Sequence, residues 1–296
     1  MNKLGIFVNF WEQSWTINYK YYIDKVKKLG FDILEFQAQP LLEMTEAECR
    51  DIKKYADEMG VKLSYSLGLN PKYDVSNPDK AVRDGGVEYL SDIVRKIAVM
   101  EGELFSGVTY AGWGVPSYFI DEKEKEAITA RSVDSMQKVM KVAEREGVTV
   151  CVEAVNRFES PVINTAKEAI AYADMVNSPN IGIHLDTYHM GIEEDNIGDA
   201  IRLVGKRLRH FHTGENNRNV PGRGHLDWDD IFKALSDIDY KNDIVSEPFL
   251  RMGNEVGYDI RTWRNLQEGL NEEKLDSEAL FLLEFTKTML KKYRMA

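Results

Sequence analysis

Four residues able to bind a metal ion stand at the ends of four consecutive strand-like runs in the second half of the chain. About one strand-plus-helix unit separates each from the next: Glu153, Asp186, His212 and Glu247. Two glutamates, one aspartate and one imidazole form an oxygen-rich set that suits Mn²⁺, Mg²⁺ or Co²⁺ better than a structural zinc ion. Each residue alone could be a solvated loop or capping residue. Their joint occurrence predicts a single divalent metal site.

Further polar residues follow the same strands by a few positions. They are Glu159, His189 and Arg218. Any one of them could be an ordinary polar surface residue. Their clustering beyond the metal-site strands favours a shell that binds the hydroxyl groups of a polyol.

Two more histidines, His184 and His210, each precede a predicted ligand by two residues. The alternation of side chains along a strand places them on the same side as that ligand, deeper in the fold. We interpret both as structural or supporting residues rather than as ligands.

Aromatic residues that could form the flat, partly apolar wall of a sugar site are Phe7, Phe10, Trp11, Trp15, Trp113 and Phe249. Most aromatic residues in a protein simply pack in its core. Trp15 and Trp113 follow the first and fourth strand-like runs, so core packing and substrate contact remain alternatives for them.

The elements that must position these residues alternate between short apolar runs and helix-periodic stretches. The predicted strands are Leu4–Phe10, Phe31–Gln37, Val61–Leu67, Leu104–Val108, Thr149–Glu153, Ile181–Asp186, Leu208–His212 and Asp243–Glu247. The predicted helices are Tyr19–Leu29, Thr45–Met59, Asp79–Met100, Lys123–Glu146, Thr165–Val176, Gly198–Val204, Trp228–Ile238 and Ser277–Tyr293. Thr45 and Glu48 form a capping-box pattern, and Gly30, Gly60, Gly102 and Gly147 follow helical runs as terminating glycines do.

Alternating strands and helices predict a parallel sheet, either doubly wound or closed into a barrel. The chain contains no G-x-G-x-x-G after its first strand and no G-x-x-x-x-G-K-[ST], which weakens the doubly wound nucleotide-binding alternative. We therefore predict a single (β/α)₈ TIM barrel spanning residues 1–296, with an excursion over the barrel mouth at about 251–273. No organic cofactor is expected. The carboxyl ends of barrel strands converge on one mouth, where active sites lie.

The composition narrows the classes of partner. The net charge is −11 and the pI is about 5.1, and no Lys/Arg-dense stretch is present, so neither nucleic acid nor a membrane surface is an expected partner. The two cysteines show no disulfide pattern, and the N-terminal residues show no secretory signal. We expect a cytoplasmic protein.

At these motifs the chain resembles the D-tagatose 3-epimerase / D-psicose (allulose) 3-epimerase family, within the xylose-isomerase-like barrel superfamily. Similarity extends over nearly the whole chain. The segments that carry it are Gly5-Ile6-Phe7 with Phe10-Trp11, Val152–Glu159, Leu185–Met190, His210–Glu215, Arg218 with Val220-Pro221-Gly222, and Glu247-Pro248-Phe249. Departures from the usual pattern at Ala154 and Ala111-Gly112 concern substrate preference rather than chemistry.

The resemblance implies metal-dependent epimerisation of free ketohexoses at C3, interconverting D-fructose with D-psicose and D-tagatose with D-sorbose through a cis-enediolate. The four strand-end residues would hold the metal, for which we expect Mn²⁺, with Co²⁺ and Mg²⁺ as alternatives. Glu153 and Glu247 would also be the acid/base pair. Glu159, His189 and Arg218 would bind the O1–O3 end of the ketose. A homodimer or homotetramer is expected by the same resemblance.

Three other kinds of function are alternatives to this one. An aldose–ketose isomerase or inosose dehydratase uses similar acidic metal sites on the same barrel, but an isomerase would favour two metals and a catalytic lysine or extra histidine. An apurinic-site endonuclease would need more histidine ligands than five histidines in total allow, together with a basic face. A non-catalytic sugar-binding protein would not need the four metal-binding side chains.

Overall fold

Eight parallel strands form a closed barrel in a computed structural model of the chain, which describes residues 2–114 and 119–295. Each strand pairs with the next along the sequence, and the eighth pairs with the first. The strands are β1 (Leu4–Phe7), β2 (Ile33–Gln37), β3 (Lys62–Gly68), β4 (Leu104–Val108), β5 (Thr149–Ala154), β6 (Ile181–Asp186), β7 (Leu208–Thr213) and β8 (Ile244–Ser246). The predicted (β/α)₈ barrel is confirmed.

Helices surround the barrel and connect its strands. Within the described residues they are α1 (Tyr19–Leu29), α2 (Glu46–Met59), α3 (Lys80–Val99), α4 (Glu122–Glu146), α5 (Ala166–Val176), α6 (Thr187–Glu193), α7 (Ile197–Val204), α8 (Trp228–Asp237), α9 (Asn254–Asp259) and α10 (Glu272–Lys292). None of these helices combines the length and apolarity that crossing a membrane requires.

Capping side chains fix where the helices begin. Thr45 and Glu48 form the predicted capping box at the start of α2, and Thr165 with Glu168 forms a second one at α5. Each box satisfies two backbone N–H groups that have no partner inside the helix. Gly60 ends α2 in the left-handed conformation at φ 66°, which a glycine adopts without steric cost.

The strand ends differ slightly from the prediction. β1 stops at Phe7, and Val8–Phe10 forms a 3₁₀ turn because the chain leaves the barrel there. β5 continues past Glu153 and β7 continues past His212, each by one residue, whereas Glu247 lies one residue beyond β8. The backbone N–H of Glu247 still donates to the Thr213 carbonyl at 3.0 Å. Parallel pairing with a neighbouring strand, rather than the residue types, determines these ends.

The predicted excursion at 251–273 contains α9 and lies beside the residues that follow β1. Val256 packs with Phe7, and its N–H lies 3.4 Å from the Gln13 carbonyl oxygen. The Trp15 indole N–H donates to Asp259 at 2.9 Å. The last helix begins at Glu272 rather than at Ser277, so α10 takes the final residues of the predicted excursion. The assignment of residues 1–296 to one catalytic domain stays a prediction.

Candidate active site

A single cavity at the carboxyl ends of the strands brings most of the predicted site residues together. Of those residues, only Asp186 and His212 lie behind its wall rather than in its lining. The lining residues are Phe7, Trp15, Gln37, Ser66, Leu67, Gly68, Gly107, Val108, Trp113, Glu153, Val155, Glu159, His189, Arg218, Glu247, Phe249 and Ile260.

The predicted metal ligands converge at the base of this cavity. Potential ligand atoms of Glu153, Asp186 and His212 all lie within 4.8 Å of one another, and the three residues are buried. The fourth residue joins them through His212, whose Nδ1 lies 3.7 Å from the Glu247 Oε2. The barrel therefore assembles from four neighbouring strands the set that their spacing in the sequence predicts.

Asp186 lies at the junction between β6 and α6, where one of its carboxylate oxygens caps the helix. Its Oδ1 accepts from the Tyr188 N–H at 2.7 Å and so caps α6. Its Oδ2 faces the Arg218 guanidinium at 3.3 Å. Burial, partly offset by Arg218, raises the pKa of Asp186 to about 6. The short helix α6 also carries His189 to the cavity, one turn after the cap.

Arg218 follows β7 and brings a buried positive charge into the acidic site. Its Nη1 donates to Glu247 Oε2 at 2.9 Å, and its Nη2 lies 3.4 Å from Glu159 Oε1. The residue has a left-handed backbone at φ 66°. Its carbonyl oxygen accepts from the Phe249 N–H at 2.9 Å. This contact ties the loop after β7 to the loop after β8.

Glu159 and His189 are held in the cavity by side chains that follow β4 and β5. The Trp113 indole N–H donates to Glu159 Oε2 at 2.9 Å, and the Asn156 amide donates to Glu159 Oε1 at 3.1 Å. The same amide nitrogen lies 2.8 Å from His189 Nδ1, which also accepts from the Asn156 backbone N–H at 3.1 Å. With Nδ1 accepting, the other ring nitrogen of His189 carries the proton. That Nε2 lies 3.7 Å from Glu153.

Four of the six aromatic residues noted from the sequence line the cavity, in two edge-to-face pairs. Phe7 and Phe249 have ring centroids 6.0 Å apart, and those of Trp15 and Trp113 are 6.5 Å apart. Phe10 and Trp11, noted from the sequence as well, pack away from the cavity: the Trp11 indole N–H donates to Asp276 of α10 at 2.8 Å. Lying beyond a strand end does not decide which aromatic residues reach the site, because Phe7 belongs to β1 whereas Phe10 and Trp11 follow it.

Glu35, in the middle of β2, belongs to the site although the spacing of ligands does not reveal it. Its carboxylate is fully buried, with Oε1 at 2.6 Å from His212 Nε2 and Oε2 at 2.8 Å from His210 Nε2. Burial alone would raise the pKa of Glu35, but the two histidines outweigh it and hold this pKa well below its usual range. The available signal was a lone carboxylate inside an apolar strand, which requires a partner when buried.

His184 lies beneath the ligands, as the alternation along β6 predicts. Its ring centroid is 4.1 Å from that of His212 and 4.8 Å from that of His210. Neither of its ring nitrogens has a hydrogen-bond partner within the described part of the chain. Burial, reinforced by the two neighbouring histidines, lowers the pKa of His184 well below its ordinary value, so its ring is neutral.

The two glutamates proposed as an acid/base pair are in unequal environments. Burial and the nearby Glu247 carboxylate raise the pKa of Glu153 well above its ordinary value. Burial also acts to raise the pKa of Glu247, but His212 and Arg218 outweigh it and keep this pKa low. Environments that separate the pKa values of two carboxyl groups favour one as proton donor and the other as acceptor.

The donor set fits a divalent cation. His212 Nδ1 is buried, faces the acidic cluster and has no hydrogen-bond partner among the described residues. An orphaned buried nitrogen is costly unless something binds it. A carboxylate-rich group with one free imidazole nitrogen is what a hard or borderline divalent ion needs.

Comparisons with known proteins agree with this geometry. The family model described as "Xylose isomerase-like TIM barrel" matches residues 23–272. A D-psicose 3-epimerase of Ruminiclostridium cellulolyticum is 42% identical, over 97% of this chain and 98% of the relative. One of Agrobacterium fabrum is 38% identical, over 97% and 99%.

Solved structures agree as well. A crystal structure of D-psicose 3-epimerase with D-tagatose from Clostridium cellulolyticum H10 matches with a TM-score of 0.94 and 42% identity. The match covers 97% of this chain and 99% of that one. The chain therefore belongs to the xylose isomerase-like TIM-barrel family and, within it, to the ketose 3-epimerases.

Proposed function

We propose that this chain epimerises free ketohexoses at C3, with D-fructose and D-psicose, and D-tagatose and D-sorbose, as substrate pairs. The observation that carries the proposal is the pair of carboxylates, Glu153 and Glu247, that line one cavity beside the orphaned nitrogen of His212. Relatives that share 42% and 38% of their residues with this chain are D-psicose 3-epimerases, which supports the substrate class.

A divalent cation would be held by four residues: Glu153, Asp186, His212 and Glu247. When bound, such an ion supplies Lewis-acid stabilisation for the negative charge that develops on a ketose losing a proton next to its carbonyl. We expect Mn²⁺, with Co²⁺ and Mg²⁺ as alternatives, because the set is rich in oxygen.

Glu153 and Glu247 would exchange the C3 proton from opposite faces of the sugar. One carboxylate accepts the proton from C3 and the other returns a proton to the far face, so that the configuration inverts through a cis-enediolate. Reversing the reaction reverses the two roles. Both carboxyl groups line the same cavity, so that one can accept a proton from a bound ketose while the other donates one.

The remaining polar residues would orient the ketose. Glu159, His189 and Arg218 line the cavity together, and Arg218 pairs with both Glu159 and Glu247, which favours binding of the O1–O3 end there. The four aromatic residues supply an apolar wall that limits water near C3: Phe7, Trp15, Trp113 and Phe249. Excluding water strengthens the electrostatic interactions that the carboxylates make.

Three finer points remain predictions of the same proposal. They are the identity of the metal, assembly into a homodimer or homotetramer, and a cytoplasmic location. The acidic net charge of −11 supports a small-molecule substrate rather than nucleic acid as the partner.

The proposal is tested by incubating chelator-treated protein with D-fructose or D-psicose, with and without added Mn²⁺ or Co²⁺. Sugar chromatography then identifies the product. We expect the C3 epimer only when metal is added, and a loss of roughly 100-fold or more in kcat for Glu153→Gln and for Glu247→Gln.

Two other results would redirect the assignment. An aldose product would identify an aldose–ketose isomerase. If neither sugar is converted although Mn²⁺ binds tightly, the epimerase proposal is wrong and only the barrel and its metal site remain.

A further inference from the structure

Glu35 stands at the centre of a buried hydrogen-bond network that reaches a proposed metal ligand. Three donors converge on its two carboxylate oxygens. His212 Nε2 lies 2.6 Å from Oε1, His210 Nε2 lies 2.8 Å from Oε2, and Ser64 Oγ donates to Oε2 at 2.6 Å. Glu35 and the two histidines are at most 1% exposed.

An ionised carboxylate can only accept hydrogen bonds. Glu35 contacts His212 through Nε2, and His210 Nε2 lies 3.0 Å from the same atom, so this ring nitrogen is already engaged. The other ring nitrogen, Nδ1, faces Glu247 and has no hydrogen-bond partner among the described residues. The position of the Glu35 carboxylate thus selects which nitrogen of His212 is available to a cation.

We propose that Glu35 is a positioning residue for the metal centre, which it serves by fixing the ring orientation of His212 and so which ring nitrogen faces the cation. The inference rests on the proposed function only in taking His212 as a ligand. Glu35 is not among the residues that line the cavity, and its side-chain hydrogen bonds and ion pairs are with His210, His212 and Ser64. Its effect on the reaction is therefore indirect.

Packing alone does not account for a carboxylate in this position. An apolar residue of similar size on β2 would avoid the cost of burying a charge inside the barrel. Glu35 also comes from a strand that is not adjacent to β7 in the barrel order, so its contact with His212 crosses the barrel interior. A residue that holds a ligand's second nitrogen typically changes metal affinity by roughly 10- to 100-fold when it is replaced.

Calorimetric titration of chelator-treated protein with Mn²⁺ alone tests the inference. In Glu35→Gln, the single amide oxygen can accept from one of the two histidines and no longer from both. We expect the Kd for Mn²⁺ to rise roughly 10- to 100-fold, and epimerase activity to recover as the Mn²⁺ concentration is raised. A purely structural role for Glu35 would lower the melting temperature and leave both readouts unchanged.

Two further variants show whether an effect is specific to Glu35 and provide an alternative if the first variant does not fold. Glu278→Gln is the matched control, because Glu278 is also a buried carboxylate (2% exposed) but pairs with Arg223 on the outside of the barrel. Its Kd should stay within about twofold of the parent value. If Glu35→Gln does not fold, Glu35→Asp keeps the charge, draws it away from His212 and should weaken Mn²⁺ binding less severely.

The outcomes separate this inference from the proposed function. Weaker Mn²⁺ binding in the Glu35 variant, and not in the control, supports the inference. Equal affinity in parent and Glu35 variant overturns it, whatever the activity. Tight, Glu35-dependent Mn²⁺ binding without any epimer formation overturns the proposed function alone, whereas no Mn²⁺ binding by the parent protein overturns both.

Discussion

Arg218 is the positive charge around which the acidic residues of the site are arranged. Its guanidinium contacts Glu247 at 2.9 Å and Asp186 at 3.3 Å, and stacks over the Tyr188 ring at 3.9 Å. Burial acts to lower the pKa of Arg218, but the carboxylates of Glu159, Glu247 and Asp186 outweigh it and raise this pKa above its ordinary value. A permanently charged, planar group with several donors suits this role better than a lysine would. It limits the repulsion between carboxylates that the barrel forces together.

Trp113 holds Glu159 through a single hydrogen bond, and this contact leads to a test at the residue scale. Trp113→Phe keeps an aromatic wall but removes the N–H that donates to Glu159 Oε2 at 2.9 Å. Losing one such bond costs about 1 kcal/mol, so the KM for D-fructose should rise roughly fivefold while kcat stays within about twofold. Steady-state kinetics measure both quantities.

The control for this variant is Trp263→Phe. Trp263 is 62% exposed and does not line the cavity at the carboxyl ends of the strands, so the KM of this variant should match that of the parent protein. An unchanged KM in Trp113→Phe would show that Glu159 does not depend on the indole for its position.

The predicted metal ligands could be identified from their spacing in the sequence, whereas Glu35 could not. Glu153, Asp186 and their partners follow a rule: residues at successive strand ends meet at one mouth of a barrel. Glu35 follows no such spacing rule, because it lies within a strand and its partners come from β7. Which nitrogen of His212 points to the cavity depends on that contact, and it could not be predicted without the fold.

At the scale of elements, local signals located most of the predicted helices to within one residue, short ones such as α7 and α8 included. The long helix α10 is the exception, because it begins at Glu272 rather than at Ser277. The seven-residue α6 was not predicted, because its start depends on Asp186, which was interpreted only as a ligand and also caps the helix. Gly102 does not end α3 in a left-handed turn. Glu101 takes that conformation at φ 53°, and Gly102 instead avoids Tyr65, whose ring would lie 2.5 Å from a Cβ.

Replacing either of two adjacent glycines in α3 by alanine should change the free energy of unfolding, and the two changes should have opposite signs. A Cβ on the exposed Gly85 would meet nothing within 4 Å, so Gly85→Ala should raise the free energy of unfolding by about 1 kcal/mol through helix propensity. A Cβ on the buried Gly86 would press directly on the Tyr73 carbonyl oxygen and lie 2.9 Å from Val75 Cγ1. Gly86→Ala should therefore destabilise the protein by about 1–3 kcal/mol.

Urea denaturation followed by circular dichroism compares the two variants under identical conditions. A shift of both midpoints in the same direction would contradict the packing described for α3 against Val75 and Tyr73.

At the scale of the whole molecule, closure of the barrel is what creates the site. Sequential pairing from β1 to β8 brings β2 and β7 close enough for Glu35 and His212 to meet inside. The alternation of strands and helices, together with the lack of nucleotide-binding motifs in the sequence, was sufficient to predict the barrel, and the ligand spacing was sufficient to predict its mouth. Contacts between strands far apart in the sequence, together with the strand ends that pairing determines, required the three-dimensional structure.

The two cysteines report on the integrity of this closed barrel. Cys49 and Cys151 are free and fully buried, and burial raises the pKa of Cys151 to about 12. Below that pH the Cys151 thiol stays protonated, and a protonated thiol is a poor nucleophile. The native protein at pH 8 should therefore resist a disulfide-exchange reagent such as Ellman's, whereas both thiols should react in denaturant. Rapid labelling of either cysteine in the native protein would show that the barrel opens readily.

The central claim is that Glu153 and Glu247 invert C3 by removing its proton from one face and returning a proton to the other. One experiment tests this claim directly. Mn²⁺-loaded protein is incubated with D-fructose in D₂O, and the sugars are followed by NMR from the earliest conversion. If one carboxylate removes the C3 proton and a different one returns a solvent-derived proton from the far face, the D-psicose product carries deuterium at C3 from the start, with C1 unlabelled. D-psicose that forms without deuterium at C3, or label that enters at C1, would contradict the account.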